Sequence, residues 1–452
     1  MVAKINRIIL FFYTFILIAG LAIKPAIAES ITLISDAETQ NYLADVVKPL
    51  YNAAGLSFDA KKLHIVNDTS LNAFVSDGNE MFINSGTIIA ADNSNEISGI
   101  LAHETGHILG GHIVRQKLKL EKMQYVMLAS MLAAGATAVS SGRGDAAVAV
   151  LLGSQSSALN NLLHYQVQEE RSADESAVKL LNKTKQSTAG LLRFMNKIKK
   201  KNILSGIEES NYFNNHPLTG ERIAHFAEVS KSNHYNEKTP LDKKFDLVKA
   251  KLAAFLLNEK YISRLYPLND TSQAAKYAHC ISNFRQGNIL KALETINVLI
   301  KEAPQNPCFY ELKGQILFES GKVNESKEAF QQALKLLPQN NLLKISLAHA
   351  ILESSQKPES IQQAINLLQQ ALIYENIPFA WQLLSRAYDI SGNKAYSYYA
   401  AAEFSYALDN LETAKSQLHA AKKYNPSKSL NLKISDLEKR IEHELNENSR
   451  TY

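Results

Sequence analysis

Two histidines and a glutamate at fixed spacing could hold a metal ion and use it. They are His103, Glu104 and His107, in the stretch LAHETGHILGGHI of residues 101–113. Residues 95–109 have helical periodicity, and residues i and i+4 of a helix share one face, so both imidazoles could bind one Zn²⁺. Glu104 could then take a proton from a water molecule beside the metal. The alternative is a pair of histidines around a glutamate that does no chemistry.

A catalytic zinc site needs a third protein ligand and one open position. Metzincins place a histidine six residues after the second one, but that position holds Ile113, and His112 is one residue short. A slip of one residue turns a helical side chain by roughly 100°, so the metzincin spacing is not met. Glu170, on a second predicted helix, is the better third ligand. Asp174, one turn later, could hold the far N–H of a ligating histidine, although both acids could instead belong to a solvated face.

A later stretch, NHPLTGERI at residues 215–223, adds His216 and Arg222 as candidates for stabilising an oxyanion. Neutral imidazole is also a good zinc ligand, so His216 could instead take the fourth zinc position and silence the site. A third interpretation is that His216-Pro217 only caps a helix.

The elements around these residues predict an α+β domain, mostly helical with a small sheet, and the H-E-x-x-H motif indicates that this domain is of the zincin type. We expect this peptidase domain over residues 29–230, and the strand at 72–75 to accept a substrate as an added strand. The predicted elements are an amphipathic helix over residues 36–54, strands at 63–66, 72–75 and 80–84, and helices from residue 95 onward.

The second half of the chain repeats. Pro304 and Pro338 lie 34 residues apart, which is the period of tetratricopeptide repeats. We expect a linker over residues 231–245, an all-α array of about four helix pairs over 246–430 with a groove for protein partners, and a tail over 431–452. Small or apolar residues recur at fixed offsets before a proline: Cys280, Ala292, Ile296 and Leu299; Gly314, Ser326, Phe330 and Ala333; Ala402, Ala414, Leu418 and Ala421.

The N-terminus predicts export. Lys4 and Arg7 precede an apolar run over residues 8–23, and Ala26-Ile27-Ala28 follows. This is the pattern of a signal peptide over residues 1–28, cleaved after Ala28, and it predicts a periplasmic protein. The run is shorter than the roughly 20 residues of a membrane span, which disfavours the alternative of an uncleaved anchor and an inner-membrane protease.

The composition limits the classes of molecule that the protein is expected to bind. A net charge of +5 with 21% charged residues, not gathered into one block, does not favour nucleic acid. The stretch 125–159, rich in Ala, Gly and Ser, is either two helices packed on the domain or an apolar lid that touches a membrane surface or a client protein. Cys280 and Cys308 could form a disulfide or remain two free thiols.

Taken together, these motifs resemble a known family, the gluzincin metallopeptidases of the HtpX and CAAX-prenyl-protease type. Within it they resemble the periplasmic BepA-like members, which join the peptidase to a tetratricopeptide array. The resemblance implies that His103, His107 and Glu170 bind zinc and that Glu104 is the general base. The family often has Ser-Arg shortly before the zinc glutamate, where this chain has Gln166-Val167.

The leading hypothesis is therefore an exported zinc endopeptidase. It would cleave unfolded or misassembled envelope proteins in outer-membrane protein quality control, and its repeats would bring it to the assembly machinery. The alternative is a periplasmic chaperone or adaptor that acts mainly through the repeats.

Overall fold

The computed structural model describes residues 32–141, 165–205, 216–373 and 376–448. The predicted signal peptide and much of the 125–159 stretch lie outside these ranges. The first part of the chain contains strands β1 (Leu63–Val66), β2 (Ala73–Ser76) and β3 (Glu80–Asn84), and helices α1 (Ala37–Ala54), α2 (Ser85–Ala90), α3 (Ser94–Gly110), α4 (His112–Ser141), α5 (residues 165–183), α6 (Ala189–Ser205), α7 (Gly220–Ser232) and α8 (Asp242–Leu256).

The three strands form one small sheet in the order β1-β3-β2, which confirms the predicted sheet. β1 runs parallel to β3, with Ile65 opposite Ile83, and β2 runs antiparallel to β3, with Phe74 opposite Phe82. The aromatic rings of Phe74 and Phe82 stack at 4.8 Å between centroids. β2 lies at an edge of the sheet, so one side of its backbone has no strand partner among the described residues.

Helix α3, which carries the H-E-x-x-H motif, lies at the centre of the first part of the chain. The Asn93 side chain accepts a hydrogen bond from the Glu96 backbone N–H and begins the helix. Gly111 ends it, because a positive φ of 61° suits glycine and lets its N–H bond back into the last turn. Every residue from Ser94 to His107 is buried, so α3 is enclosed by the other elements.

Small residues let α3 and α5 come close together. A Cβ atom added at Gly106 would lie only 2.6 Å from the carbonyl oxygen of Ala173. Gly106 stands inside the H-E-x-x-H motif, and Ala173 is the alanine of E-x-x-A-D. The two small residues therefore bring the histidines of α3 opposite the carboxylates of α5.

Helix α8 packs on both parts of the chain. Its Phe245, Val248 and Leu252 are buried in the core of the first part of the chain, whereas Ala250, Ala253 and Ala254 belong to the core of the first repeats. The helix begins at Asp242, within the segment predicted as a linker over residues 231–245. The junction between the two parts is thus partly a buried helix.

An all-α repeat array follows, as predicted. The described residues contain ten array helices after the short helix α9 (Glu259–Leu265), enough for five pairs where the sequence predicts about four. They are α10 (Gln273–Arg285), α11 (Ile289–Glu302), α12 (Pro307–Glu319), α13 (Val323–Leu336), α14 (Asn341–Ser354), α15 (Pro358–Ala371), α16 (Pro378–Ile390), α17 (Lys394–Ala407), α18 (Leu411–Lys422) and α19 (Lys428–Asn448).

The repeat offsets predicted from the sequence correspond to contacts between paired helices. A Cβ atom at Gly314 would lie 2.7 Å from the Phe330 ring, so this position of helix α12 has to be small. In three helix pairs a side chain donates a hydrogen bond to the backbone carbonyl oxygen of a residue 12 positions away. These bonds run from Cys280 Sγ to Ala292, from Ser326 Oγ to Gly314, and from Ser385 Oγ to Ser397.

Three further findings concern the C-terminal tail, the two cysteines and the 125–159 stretch. The predicted tail is largely helix α19, whose Leu430, Ile434 and Leu437 are buried against the preceding helices. Cys280 and Cys308 are free thiols. Helix α4 runs to Ser141 as one helix, and across the described residues no helix has the length and apolar character to cross a membrane.

Candidate active site

Four buried side chains from three parts of the chain converge on one point. His103 and His107 come from α3, Glu170 from α5, and His216 from the segment before α7. Their potential ligand atoms all lie within 4.8 Å of one another. The structure thus brings together the three predicted zinc ligands and His216, residues that are up to 113 positions apart.

The distances between these atoms fit the ligand shell of a single metal ion. The Nε2 atoms of His103 and His107 are 3.1 Å apart, and each lies 3.3 Å from a Glu170 carboxylate oxygen. His216 Nδ1 lies 3.0 Å from Glu170 Oε1 and 3.4 Å from His103 Nε2. Tetrahedral zinc bonds of about 2.0–2.1 Å would separate neighbouring ligand atoms by about 3.3 Å. Two imidazoles and a carboxylate are also the donor set of many catalytic zinc sites.

Asp174 and Arg222 contact the outer side of this cluster. Asp174 Oδ1 lies 2.9 Å from His103 Nδ1, the ring nitrogen that faces away from the cluster, as the sequence predicts. Arg222 contacts Asp174 through Nε and Nη2, at 2.7 and 2.8 Å. Its Nη1 lies 2.7 Å from Glu170 Oε2 and donates to the Pro217 carbonyl oxygen. The guanidinium therefore links Glu170, the predicted third zinc ligand, to Asp174, the partner of His103.

Glu104 faces the same point from the side. Its carboxylate is buried, and Oε1 lies 3.5 Å from His216 Nε2. Glu104, His107 and His216 line a cavity of about 230 Å³, whose wall also includes Phe74 and Val75 of strand β2. The edge strand that the sequence proposes for substrate binding thus borders the cavity that holds the predicted base.

Burial and neighbouring charges shift the pKa values of these side chains in the metal-free cluster. Burial raises the pKa of Glu104 above its ordinary value, which makes its carboxylate a better proton acceptor than a solvated one. Burial also lowers the pKa of His107, to about 3. For His103 burial acts in the same direction, but hydrogen bonds to Asp174 and Glu170 outweigh it and raise the pKa to about 10. The pKa of Glu170 is held well below its usual value despite burial, chiefly by the charge of His216 and by hydrogen bonds from the histidines.

His112 is one residue short of the metzincin ligand position, and the sequence assigns it no other role. In the structure it lies beside the cluster and is not part of it. Its Nδ1 is 2.8 Å from the Nδ1 of His107, and it lines the same cavity. The sequence signal for this contact is the Gly110-Gly111 pair, which ends α3 and begins α4 at His112. The bridge that Arg222 forms between Asp174 and Glu170 has no signal in the sequence, because spacing alone does not relate α5 to α7.

Comparison with known proteins agrees with this geometry. The model of peptidase family M48 matches residues 37–230. The chain is 23% identical over 415 residues to the "Beta-barrel assembly-enhancing protease" of Escherichia coli K12, covering 86% of this chain and 81% of that protein. The protein of the same name from Yersinia pestis is 22% identical over 356 residues, covering 75% and 70%.

Among solved structures, the crystal structure of MamA aligns with 38% of this chain and 97% of its own, at 18% identity and a TM-score of 0.29. Because this TM-score is low, the repeat assignment depends on the helix pairs described above and not on this alignment. The match of the family model coincides with the elements that carry both motifs. Residues 37–230 of the chain are therefore a metallopeptidase domain of peptidase family M48.

Proposed function

We propose that the protein is an exported, zinc-dependent endopeptidase that cleaves unfolded or misassembled envelope proteins during the assembly of outer-membrane β-barrels. The single observation that carries the zinc assignment is the set of 3.0–3.4 Å distances among His103, His107, Glu170 and His216. We assign the peptidase part to residues 29–230 and the repeat part to the chain from residue 246.

In this proposal His103, His107 and Glu170 hold the zinc ion. When bound, zinc supplies activation of a water molecule and polarisation of the scissile carbonyl group. Glu104 accepts the proton of the attacking water and passes it to the leaving amine. This role is supported by its burial, by its raised pKa and by its place on the cavity wall.

Asp174 and Arg222 position the ligands. Asp174 orients the ring of His103, and Arg222 holds both Asp174 and Glu170. The sequence also offered Arg222 as a group that stabilises an oxyanion. Because its guanidinium contacts two carboxylates and the Pro217 carbonyl, we favour the positioning role.

His216 restrains the site in its resting state. Its Nδ1 lies 3.0 Å from Glu170 Oε1 and 3.4 Å from His103 Nε2, which supports its assignment as a fourth ligand. As a zinc ligand, His216 would take the place of the water molecule that attacks the substrate. Displacement of the segment around His216 would open the site, and His216 could then face the substrate.

Substrate binds along β2 as an added strand. Main-chain hydrogen bonds to an edge strand tolerate many sequences, so unfolded segments are favoured over one sequence motif. The position of β2 at the sheet edge and the presence of Phe74 and Val75 at the cavity support this mode.

The repeats bring the enzyme to its partners. A cavity of about 530 Å³ opens among α15, α16, α17 and α19, lined by the aromatic residues Trp381, Tyr388, Tyr396 and Tyr399 and by Lys433. Aromatic side chains give large contact areas at low entropic cost. The names of the Escherichia coli and Yersinia pestis relatives point to β-barrel assembly, and we propose the assembly machinery as the partner. Membrane-surface contact through residues 125–159 remains part of the proposal.

The zinc assignment is tested by metal content. The purified mature protein, whose N-terminus we expect at Glu29, should contain one zinc ion per chain. His103→Ala and Glu170→Ala should lose zinc at chelator concentrations that leave the parent loaded, because each substitution removes one of the ligands that hold the ion. Glu175→Ala, an exposed acid on the same helix as Glu170, is the matched control. Full zinc occupancy in Glu170→Ala would contradict the ligand assignment.

A further inference from the structure

The two histidines of the motif have different partners behind them. His103 turns its outer nitrogen to the carboxylate of Asp174. His107 turns its outer nitrogen, Nδ1, to the Nδ1 of His112 at 2.8 Å. His112 is only 2% exposed, so water does not compete freely for this contact.

The direction of this hydrogen bond follows from the position of the cluster. His107 points Nε2 at His103 and Glu170. A histidine binds a metal ion through a nitrogen without hydrogen, so a coordinating His107 carries its proton on Nδ1. Two Nδ1 atoms at 2.8 Å share one hydrogen. His107 therefore donates and His112 accepts, which places the proton of neutral His112 on its own Nε2.

We propose that His112 is a positioning residue of the metal centre, which fixes the tautomer and the ring orientation of His107. The proposal rests on the zinc site proposed above. The partner behind a metal-binding histidine usually changes metal affinity by 10–100-fold. His112 thus does for His107 what Asp174 does for His103, with a neutral acceptor in place of a carboxylate.

Two glycines make this contact possible. Gly111, with φ of 61°, ends α3 and turns the chain so that α4 begins at His112. Gly110 leaves room for the His112 ring, since a Cβ atom at residue 110 would lie 2.1 Å from His112 Nε2. A methyl group at Gly110 would therefore displace the ring from His107 without changing any residue of the cluster.

Three variants of the full-length protein test the proposal. In His112→Asn the side-chain oxygen can take the place of Nδ1 as acceptor, whereas His112→Leu offers no acceptor. We expect zinc to pass to a chelator about 10–100-fold faster from His112→Leu than from the parent, and within about threefold of the parent rate from His112→Asn. His225→Leu, at an exposed position of α7, should match the parent. The unfolding temperature of each metal-free variant reports on damage unrelated to zinc.

Parent-like zinc release from His112→Leu would overturn the proposal. So would equally fast release from His112→Asn and His112→Leu when their metal-free forms unfold at the same temperature. A parent protein that binds no zinc at all would refute the proposed zinc site instead, which keeps the two failures distinct.

Gly110→Ala provides an independent check. We expect it to release zinc as fast as His112→Leu does, because the added methyl group collides with the His112 ring. Asparagine lacks the far edge of that ring, so adding Gly110→Ala to His112→Asn should have little further effect. If Gly110→Ala has the same effect in both backgrounds, the ring contact is not what holds His107.

Discussion

Arg222 and Asp174 form a buried ion pair with two hydrogen bonds, of 2.7 and 2.8 Å. The same guanidinium lies 2.7 Å from Glu170, so one residue of α7 holds two residues of α5. A second pair joins the same helices at the surface, Arg171 to Glu221 at 3.2 Å, with side chains 67% and 79% exposed. These two pairs share their chemistry and differ in burial.

Arg222→Gln should therefore destabilise the protein much more than Arg171→Gln. Removing one partner of a buried ion pair leaves an uncompensated charge and costs about 3–5 kcal/mol, whereas an exposed pair contributes about 0–1 kcal/mol. Urea unfolding of the two variants measures the difference. Equal losses would show that the buried pair does not stabilise the site.

His216→Ala should raise the rate at which unfolded protein is cleaved. The substitution removes the proposed fourth ligand, whose Nδ1 lies 3.0 Å from Glu170. If His216 instead stabilises the transition state directly, cleavage should fall by about 10² or more. Unchanged cleavage would leave only a capping role. His225→Ala, at an exposed position on the neighbouring helix, should behave like the parent.

The sequence predicts relationships within one helix better than those between helices. The i, i+4 spacing of His103 and His107 on α3 follows from helical geometry, and so does that of Glu170 and Asp174 on α5. The approach of the two helices depends on Gly106 and Ala173, whose small size has meaning only once the helices are paired.

The junction between the two parts shows the same limit. Polar residues and Pro240 suggest a linker before residue 245, yet α8 begins at Asp242 and buries Phe245 in the peptidase core. The opposite face of α8 contacts the repeats. From its sequence alone, a helix with apolar residues on two faces could belong to either part. The packing shows that α8 contributes to both cores.

The repeats should be separable from the chemistry by a surface substitution. Ile373→Asp places a charge in the groove of the array, where Ile373 is 62% exposed. We expect the variant to cleave unfolded casein like the parent and to lose association with assembly partners. Leu290→Asp, at a residue 76% exposed on α11, is the control. Retained association in co-purification would exclude the groove as the docking surface.

Stability should depend on pH through Glu38, at the junction of the two parts. Glu38 is buried beside Lys251 and accepts a hydrogen bond from Tyr277. Burial raises its pKa from 4.5 to about 7. The folded state therefore binds this proton more tightly than the unfolded state does. The stability that Glu38 contributes is present below about pH 4.5 and is lost as the pH rises to 7.

Glu38→Gln removes this dependence. The free energy of unfolding of the variant, relative to that of the parent, should rise by up to about 3 kcal/mol between pH 4.5 and pH 8. This value follows from the shift of about 2.5 units in the pKa of Glu38. Urea unfolding at both pH values measures it, with the exposed Glu175→Gln as control. The same effect at both pH values would contradict the assignment.

The central claim, that the cluster is the catalytic centre of a zinc endopeptidase, is tested most directly by Glu104→Gln. Zinc content and cleavage of unfolded casein should be measured on the same samples of parent and variant. We predict one zinc ion per chain in both, because Glu104 is not a ligand, and a loss of cleavage of about 10²–10⁴-fold in the variant, because its proton acceptor is gone. Parent-like cleavage by a zinc-loaded Glu104→Gln protein would contradict the mechanism. A parent that binds zinc but cleaves nothing would favour the chaperone or adaptor alternative.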